Sequence, residues 1–242
     1  MGRHGTIANR KASQDSKRAQ VFTKYARAIT VAAKSGGDPS YNMTLKHAID
    51  KAKAINMPND NIARSIKKGT GELAGEIYEE NTFEGYGAGG VAVIVDVLTD
   101  NRNRSTAAVK HAFDKYGGNL GAIGCVSYMF DKKGVILIEK TESISEDNLM
   151  ETALEAGMED MVVHDDSFEI LTAPDDFTSV SEALINAGYE FVDADVELVP
   201  SLEVTPTNDF DIKALKKMIA ALEENDDVQK VHHNCTVDLS EE

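Results

Sequence analysis

The residues best suited to do chemistry in this chain are cations. Arg3, His4, Arg10, Lys11, Lys17, Arg18, Lys24 and Arg27 crowd the first 27 residues against one acid, Asp15. Neutralising a phosphate backbone needs that density of Lys and Arg and little else, so the stretch is a candidate polyanion-binding surface. A second group, Asn101, Arg102, Asn103 and Arg104, follows Asp100 where a strand is expected to end and a helix to begin. Main-chain amides at a helix N-terminus, two guanidinium forks and two carboxamides would grip phosphate by shape as well as by charge. A turn followed by an ordinary helix cap accounts for the same residues equally well. The loop Gly117-Gly118-Asn119-Leu120-Gly121 would lie beside this group if the intervening helix folded back on its sheet.

Other chemistries fit poorly. Gly85-Tyr86-Gly87-Ala88-Gly89-Gly90 has the spacing of a dinucleotide fingerprint. That motif must open a helix, and here Val91 to Val95 reads as a strand, so a turn between strands is expected and no cofactor. His232-His233-Asn234-Cys235 is the densest run of metal-ligand types, but adjacent strand residues face opposite ways, and no metal site is expected. Cys125 is expected in a buried strand as a small core residue, and no nucleophile motif surrounds it. The acids Asp165-Asp166 and Glu223-Glu224-Asn225-Asp226-Asp227 read as solvated surface. No catalytic residue and no small-molecule substrate is expected.

Charge is divided unevenly along the 242 residues, whose formal net charge is -16. Residues 1–71 hold 14 Lys and Arg and four acids, a net +10, which leaves -26 on the remainder. A basic module on an acidic body suggests a polyanion partner met by one end only. The helical module is therefore expected to stand apart, with the basic face of its first helix exposed. The longest apolar run, Val91 to Val95, stops at Asp96, far short of a membrane span. No apolar stretch follows the basic start, and two Cys cannot make a disulfide scaffold, so a reducing cytoplasm is the expected compartment.

Hydrophobic periodicity supplies the elements that must position these groups. A helix is expected from near Ser13, with Phe22, Tyr25, Ala26, Ile29, Ala32 and Ala33 on one face. Further helices are expected over 42–56 and from Pro58 to 68, closing a small bundle. Strands are expected over 78–86 and 90–98, a helix over 102–116 and a strand over 125–130. Residues 135–198 then run β-α-β-β-α-β, the ferredoxin-like order. A last helix over 209–224 and strand over 228–233 would complete the middle unit, whose own order lacks a second helix. The fold class is α+β: an N-terminal three-helix module followed by two α+β domains, one ferredoxin-like and inserted into the other. The expected divisions are 1–76, 77–130 with 206–242, and 131–205.

The residues also resemble a known family. Arg10-Lys11-Ala12-Ser13-Gln14-Asp15-Ser16-Lys17-Arg18, Asn56-Met57-Pro58-Asn59-Asp60-Asn61-Ile62, Leu98-Thr99-Asp100-Asn101-Arg102-Asn103-Arg104 and Gly117-Gly118-Asn119-Leu120-Gly121 are similar to the YebC family. So is Asp226-Asp227-Val228-Gln229-Lys230-Val231, and the likeness spans nearly the whole chain. Ile7 stands where many members have Trp, and Ala88 where Pro is frequent. The resemblance implies three domains and a non-enzymatic regulator of gene expression. Some members are described as DNA-binding transcriptional regulators. Others, including the mitochondrial translational activator of cytochrome oxidase, act on ribosomes, and some relieve stalling at proline-rich stretches. The implied partners are rRNA and tRNA on the ribosome, or promoter DNA, with no membrane.

Overall fold

A computed structural model describes residues 18–239. Helices α1 (Arg18–Ala32), α2 (Met43–Ala54) and α3 (Asn59–Gly69) form the N-terminal bundle. Ile29, Ala33, Leu45, Ala52 and Ile62 are buried at its centre. Each helix starts or stops for a local reason. The side chain of Asn42 caps α2 by accepting from the amide of Leu45 at 3.0 Å, and Pro58 precedes α3, where its missing N–H costs nothing. Gly69 ends α3 against α1: an added Cβ there would sit 2.6 Å from the methyl of Ala33, so only glycine permits the approach. The expected start near Ser13 lies outside the described residues.

The middle sheet runs β3-β1-β2-β8, antiparallel throughout. Its strands are β1 (Glu79–Tyr86), β2 (Ala92–Thr99), β3 (Asn119–Leu120) and β8 (Val228–His233). The glycine-rich segment between β1 and β2 is a turn leading into a strand, as the sequence reading requires. Helices α4 (Arg102–Lys115) and α7 (Asp209–Glu223) cover one face, where Val93, Val95, Val109, Phe113, Leu215 and Met218 are buried together. The alternate residues Ala92 and Ile94 pack on the other face against Val126 and Phe130. Burial on both faces is why the 91–95 run is continuously apolar rather than alternating.

Between β3 and α7 the chain leaves to build a second antiparallel sheet. Strands β4 (Phe130–Glu139), β5 (Met158–Val163), β6 (Ser167–Thr172) and β7 (Asp193–Pro200) run in the order β5-β6-β4-β7. With α5 (Glu146–Glu155) and α6 (Phe177–Asn186) this is the ferredoxin-like arrangement, inserted into the middle unit. The return is stitched by buried Asn234. Its side chain accepts from the Ala92 amide at 2.8 Å and donates to the Leu202 carbonyl at 2.9 Å.

Two expectations are corrected here. Residues 125–130 are not a strand: a 3-10 turn spans Ser127–Met129, and the strand begins at Phe130. The cause is Glu84 on β1, whose buried carboxylate accepts the amides of Gly124 (2.8 Å), Val126 (3.0 Å) and Ser127 (2.9 Å). Amides spent on a side chain cannot join a ladder. Cys125 is accordingly a half-buried loop residue. The Gly117–Gly121 loop, for its part, does not lie beside Asn101–Arg104, because α4 is one continuous helix and holds its two ends roughly 20 Å apart.

Burial works to raise the pKa of Glu84, and the amides of Val126, Gly124 and Ser127 outweigh it and hold the carboxyl below its ordinary value. Its stabilising contribution is thus present above the ordinary glutamate range and lost as pH falls through the lowered folded value. Replacing Glu84→Ala should lower the unfolding free energy by about 3 kcal/mol at neutral pH, since it strands amides the carboxylate now serves. The deficit against the parent should shrink as urea melts are repeated at falling acid pH.

Candidate nucleic-acid interface

The expected site residues divide into three sets. Arg3, His4, Arg10, Lys11 and Lys17 lie outside the described residues. Arg18 opens α1. Of the remainder, Arg27 and Arg104 meet at one unexpected centre, the carboxylate of Asp227 at the start of β8, while Lys24, Asn101, Arg102 and Asn103 do not reach it.

Asp227 is buried, with a side chain only 4% exposed. Arg27 of α1 reaches it through Nη1 at 2.6 Å. Arg104 of α4 approaches from the other side, with Nη2 2.8 Å and Nε 3.1 Å from Oδ2. Ser105 Oγ donates to Oδ2 at 2.7 Å and Thr99 Oγ1 at 3.1 Å. Burial favours protonation of the carboxyl, but the bonds from Ser105, Arg104, Arg27 and Thr99 prevail and hold its pKa below the usual aspartate range.

The elements explain the convergence. Thr99 ends β2, and Asn101 is the cap of α4, its side-chain oxygen accepting the Arg104 amide at 3.1 Å. Capping sets the first turn of α4 so that Arg104 and Ser105 face β8. Arg27 arrives because α1 packs its polar side on the C-terminal end of α7. There Lys24 Nζ donates to the Glu223 carbonyl at 2.8 Å, Gln20 donates to the Glu224 carbonyl, and Arg27 Nη1 donates to the Asp226 carbonyl at 2.7 Å. A helix C-terminus has carbonyls without partners and a negative dipole end, and cations answer both.

The expectation that the helical module stands apart with an exposed α1 face therefore fails for Lys24 and Arg27. Both are spent on the body, because its α7–β8 corner offers a bare helix end and a buried carboxylate. Arg104 is likewise a structural cation, also paired with Asp100 at 2.7 Å. Arg102 and Asn103 are exposed on the first turn of α4. On the N-terminal module, Lys46, Lys53, Arg64 and Lys67 are exposed. Asp227, expected on the solvated surface, is instead the buried carboxylate around which these residues assemble. The only hint was that the acidic run opposes the dipole of its own helix, which demanded cations from elsewhere.

A second junction ties all three parts. Asp195 of β7 pairs with Lys51 of α2 at 2.5 Å and with Lys230 of β8, which also reaches Glu197 at 3.3 Å. The ring of His47 lies 6.0 Å from that of Phe177 on α6. Among the described residues no cluster of His, Cys, Asp and Glu has metal-binding geometry, and no helix is long and apolar enough to cross a membrane.

A three-helix module on an α+β body with a ferredoxin-like insertion defines a recognisable class of three-domain protein. Residues 3–72 match the TACO1/YebC protein N-terminal domain, and residues 78–235 match the TACO1/YebC second and third domain. A probable transcriptional regulatory protein of Clostridioides difficile is 56% identical, over 98% of this chain and 100% of its own. Another from Acetivibrio thermocellus is 54% identical, over 94% of this chain and 95% of its own. The crystal structure of a conserved hypothetical protein from Aquifex aeolicus superposes with a TM-score of 0.88 at 43% identity, covering 97% of this chain and 96% of that one. The chain belongs to the TACO1/YebC family.

Removing the Asp227 charge leaves two guanidinium groups facing a buried neutral site. The Asp227→Asn variant should unfold with about 3 kcal/mol less free energy, as expected for breaking a buried pair from one side. Because the folded pKa is depressed, the parent should lose this advantage as pH falls through that value, so the two urea melts converge in acid.

Proposed function

We propose that this chain is a non-enzymatic regulator of gene expression that binds nucleic acid through its basic N-terminal module. We favour a ribosome-associated translation factor that assists at stalled, proline-rich sequences. The observation that carries the reading is the charge division: +10 in residues 1–71 against -26 in the rest. Such a molecule approaches a polyanion by one end and is repelled elsewhere, which orients it without sequence readout.

The bundle is poorly suited to reading the major groove of DNA. A recognition helix enters the groove with its N-terminal residues, and α3 places Asp60 in that first turn. Its cations, Arg64, Lys67 and Lys68, lie in the second half. These features favour backbone contacts with structured RNA. A DNA-binding transcriptional regulator is the second reading, supported by relatives described as probable transcriptional regulatory proteins. The cytoplasm is the compartment both readings require.

Co-sedimentation with ribosomes and binding to the chain's own promoter DNA, compared at matched salt, should favour ribosomes. If the module neutralises about five phosphates, log K should fall with log salt at a slope of about -3.5 on single strands and -4.5 on duplex DNA. Reversing Arg10, Lys11, Lys17 and Arg18 to Glu should weaken binding across sequences alike. Salt-independent affinity contradicts the proposal, and tighter binding to promoter DNA than to ribosomes selects the second reading.

A further inference from the structure

In so acidic a chain, a cavity whose described lining has cations and no acid stands out. One lies in the N-terminal bundle where α1 crosses α3, with a volume of about 430 Å³, inside the range of small-ligand sites. Its wall carries Arg27, Arg64 and Lys68, the aromatic rings of Phe22 and Tyr78, and the carboxamide of Asn61. Among the described residues no Asp or Glu contributes. The larger space between α2 and the inserted domain has no such bias, since Lys46 and Lys51 face Glu139, Glu182 and Asp193 across it.

Several cations of the structure are committed to acids. Lys51 and Lys230 are committed to Asp195, Arg104 to Asp227, Lys110 to Asp114 and Lys133 to Glu159. Arg64 and Lys68 make no ion pair among the described residues. They stand four residues apart on α3, where like charges repel along a helix face, and an anion between them would reverse that cost. Arg27 is satisfied through Nη1, but its Nε is buried with no acceptor. Arg27 thus borders the cavity with a guanidinium already turned to Asp227, and the cations left to a ligand there are Arg64 and Lys68. The Arg27 guanidinium also lies over the Tyr78 ring, 5.4 Å from its centre, which fixes that ring as part of the wall.

We infer that this cavity is a nucleotide subsite: it takes one nucleoside monophosphate unit, with the phosphate between Arg64 and Lys68 and the base against Phe22 and Tyr78. Guanidinium and ammonium groups supply the phosphate contacts, and aromatic walls accept any base because every base has a π-face. The unit comes either from a single strand of RNA passing along α3 or from a free nucleotide. The first source rests on the nucleic-acid reading above, and the second is independent of it.

The test uses the full chain with two probes. In the first arm, AMP, ribose 5-phosphate and inorganic phosphate are titrated into isotope-labelled protein. AMP should shift the amides of Ala26, Asn61 and Ser65 saturably and bind more tightly than the two baseless probes. In the second arm, a fluorescent single-stranded oligoribonucleotide is bound to two charge-matched variants. Arg64→Glu with Lys68→Glu should weaken binding about tenfold. Lys213→Glu with Lys217→Glu, exposed cations four residues apart on α7 and outside the cavity, should change it less than about threefold. Thermal melts establish that both variants fold, and the AMP titration of the parent needs no variant. Absence of AMP shifts at these amides overturns the subsite, as does equal affinity for AMP and inorganic phosphate. Equal weakening of RNA by both variants assigns the effect to net charge and removes the RNA source while leaving the nucleic-acid reading intact. A parent that binds AMP at the cavity but no RNA establishes the free nucleotide as the source and removes that reading instead.

Discussion

The burial of one carboxylate, Asp227, is the constraint on which the arrangement of this molecule depends. A charge taken out of water is costly unless its hydrogen-bonding capacity is filled, and four side chains from two separate stretches fill this one. Thr99, Arg104 and Ser105 come from the β2–α4 connection, and Arg27 comes from a helix 200 residues away in sequence. Oδ1 is shared by the two arginines, and Oδ2 takes Arg104, Ser105 and Thr99, so each oxygen has more than one donor. The position of α1 on the body is therefore dictated by where β8 begins, not by the bundle's own core.

That core would tolerate other placements. Ile29, Leu45 and Ile62 bury one another whether or not the bundle touches anything else. Besides ring contacts such as that of His47 with Phe177, the bundle meets the rest of the chain through polar contacts: Arg27 and Lys24 to the α7–β8 corner, Lys51 to Asp195, Lys34 to the Tyr78 carbonyl at 2.8 Å. Polar junctions of this kind are directional and sensitive to salt where they are exposed, unlike an apolar seam. Lys230 illustrates the other extreme. Burial works against its charge, yet Glu197 and Asp195 push its pKa upward on balance, so it stays ionised between the middle sheet and the insertion. The basic module is thus held to an acidic body by the opposite charge that makes the two halves different.

What could be read along the sequence was whatever the chain determines locally. The apolar face of α1, the doubly buried 91–95 strand and the β-α-β-β-α-β order all rest on periodicity, and the structure has them within a few residues. The candidate site was less legible because its logic is non-local. Arg27 reads as a surface cation until α1 is packed on α7, and Asp227 reads as one acid in a solvated run until β8 is paired with β2. Residues 125–130 look like a strand, and only the distant Glu84 withdraws their amides from any ladder. In each case a side chain from elsewhere overrode a pattern that was correct by local propensity.

The same non-local view changes what the arginines mean. Of the cations clustered in the sequence, those with the best geometry, Arg27 and Arg104, are fixed by a carboxylate and present no free fork to a phosphate. Others that remain exposed, Arg102 on α4 and Arg64 and Lys67 on α3, have no acid to hold them among the described residues. Charge density along a sequence therefore overstates the interface, since each cation used to build the fold is subtracted from the surface offered to a partner. The proposed role then falls to the residual cations, chiefly those of the N-terminal module, where acids are fewest.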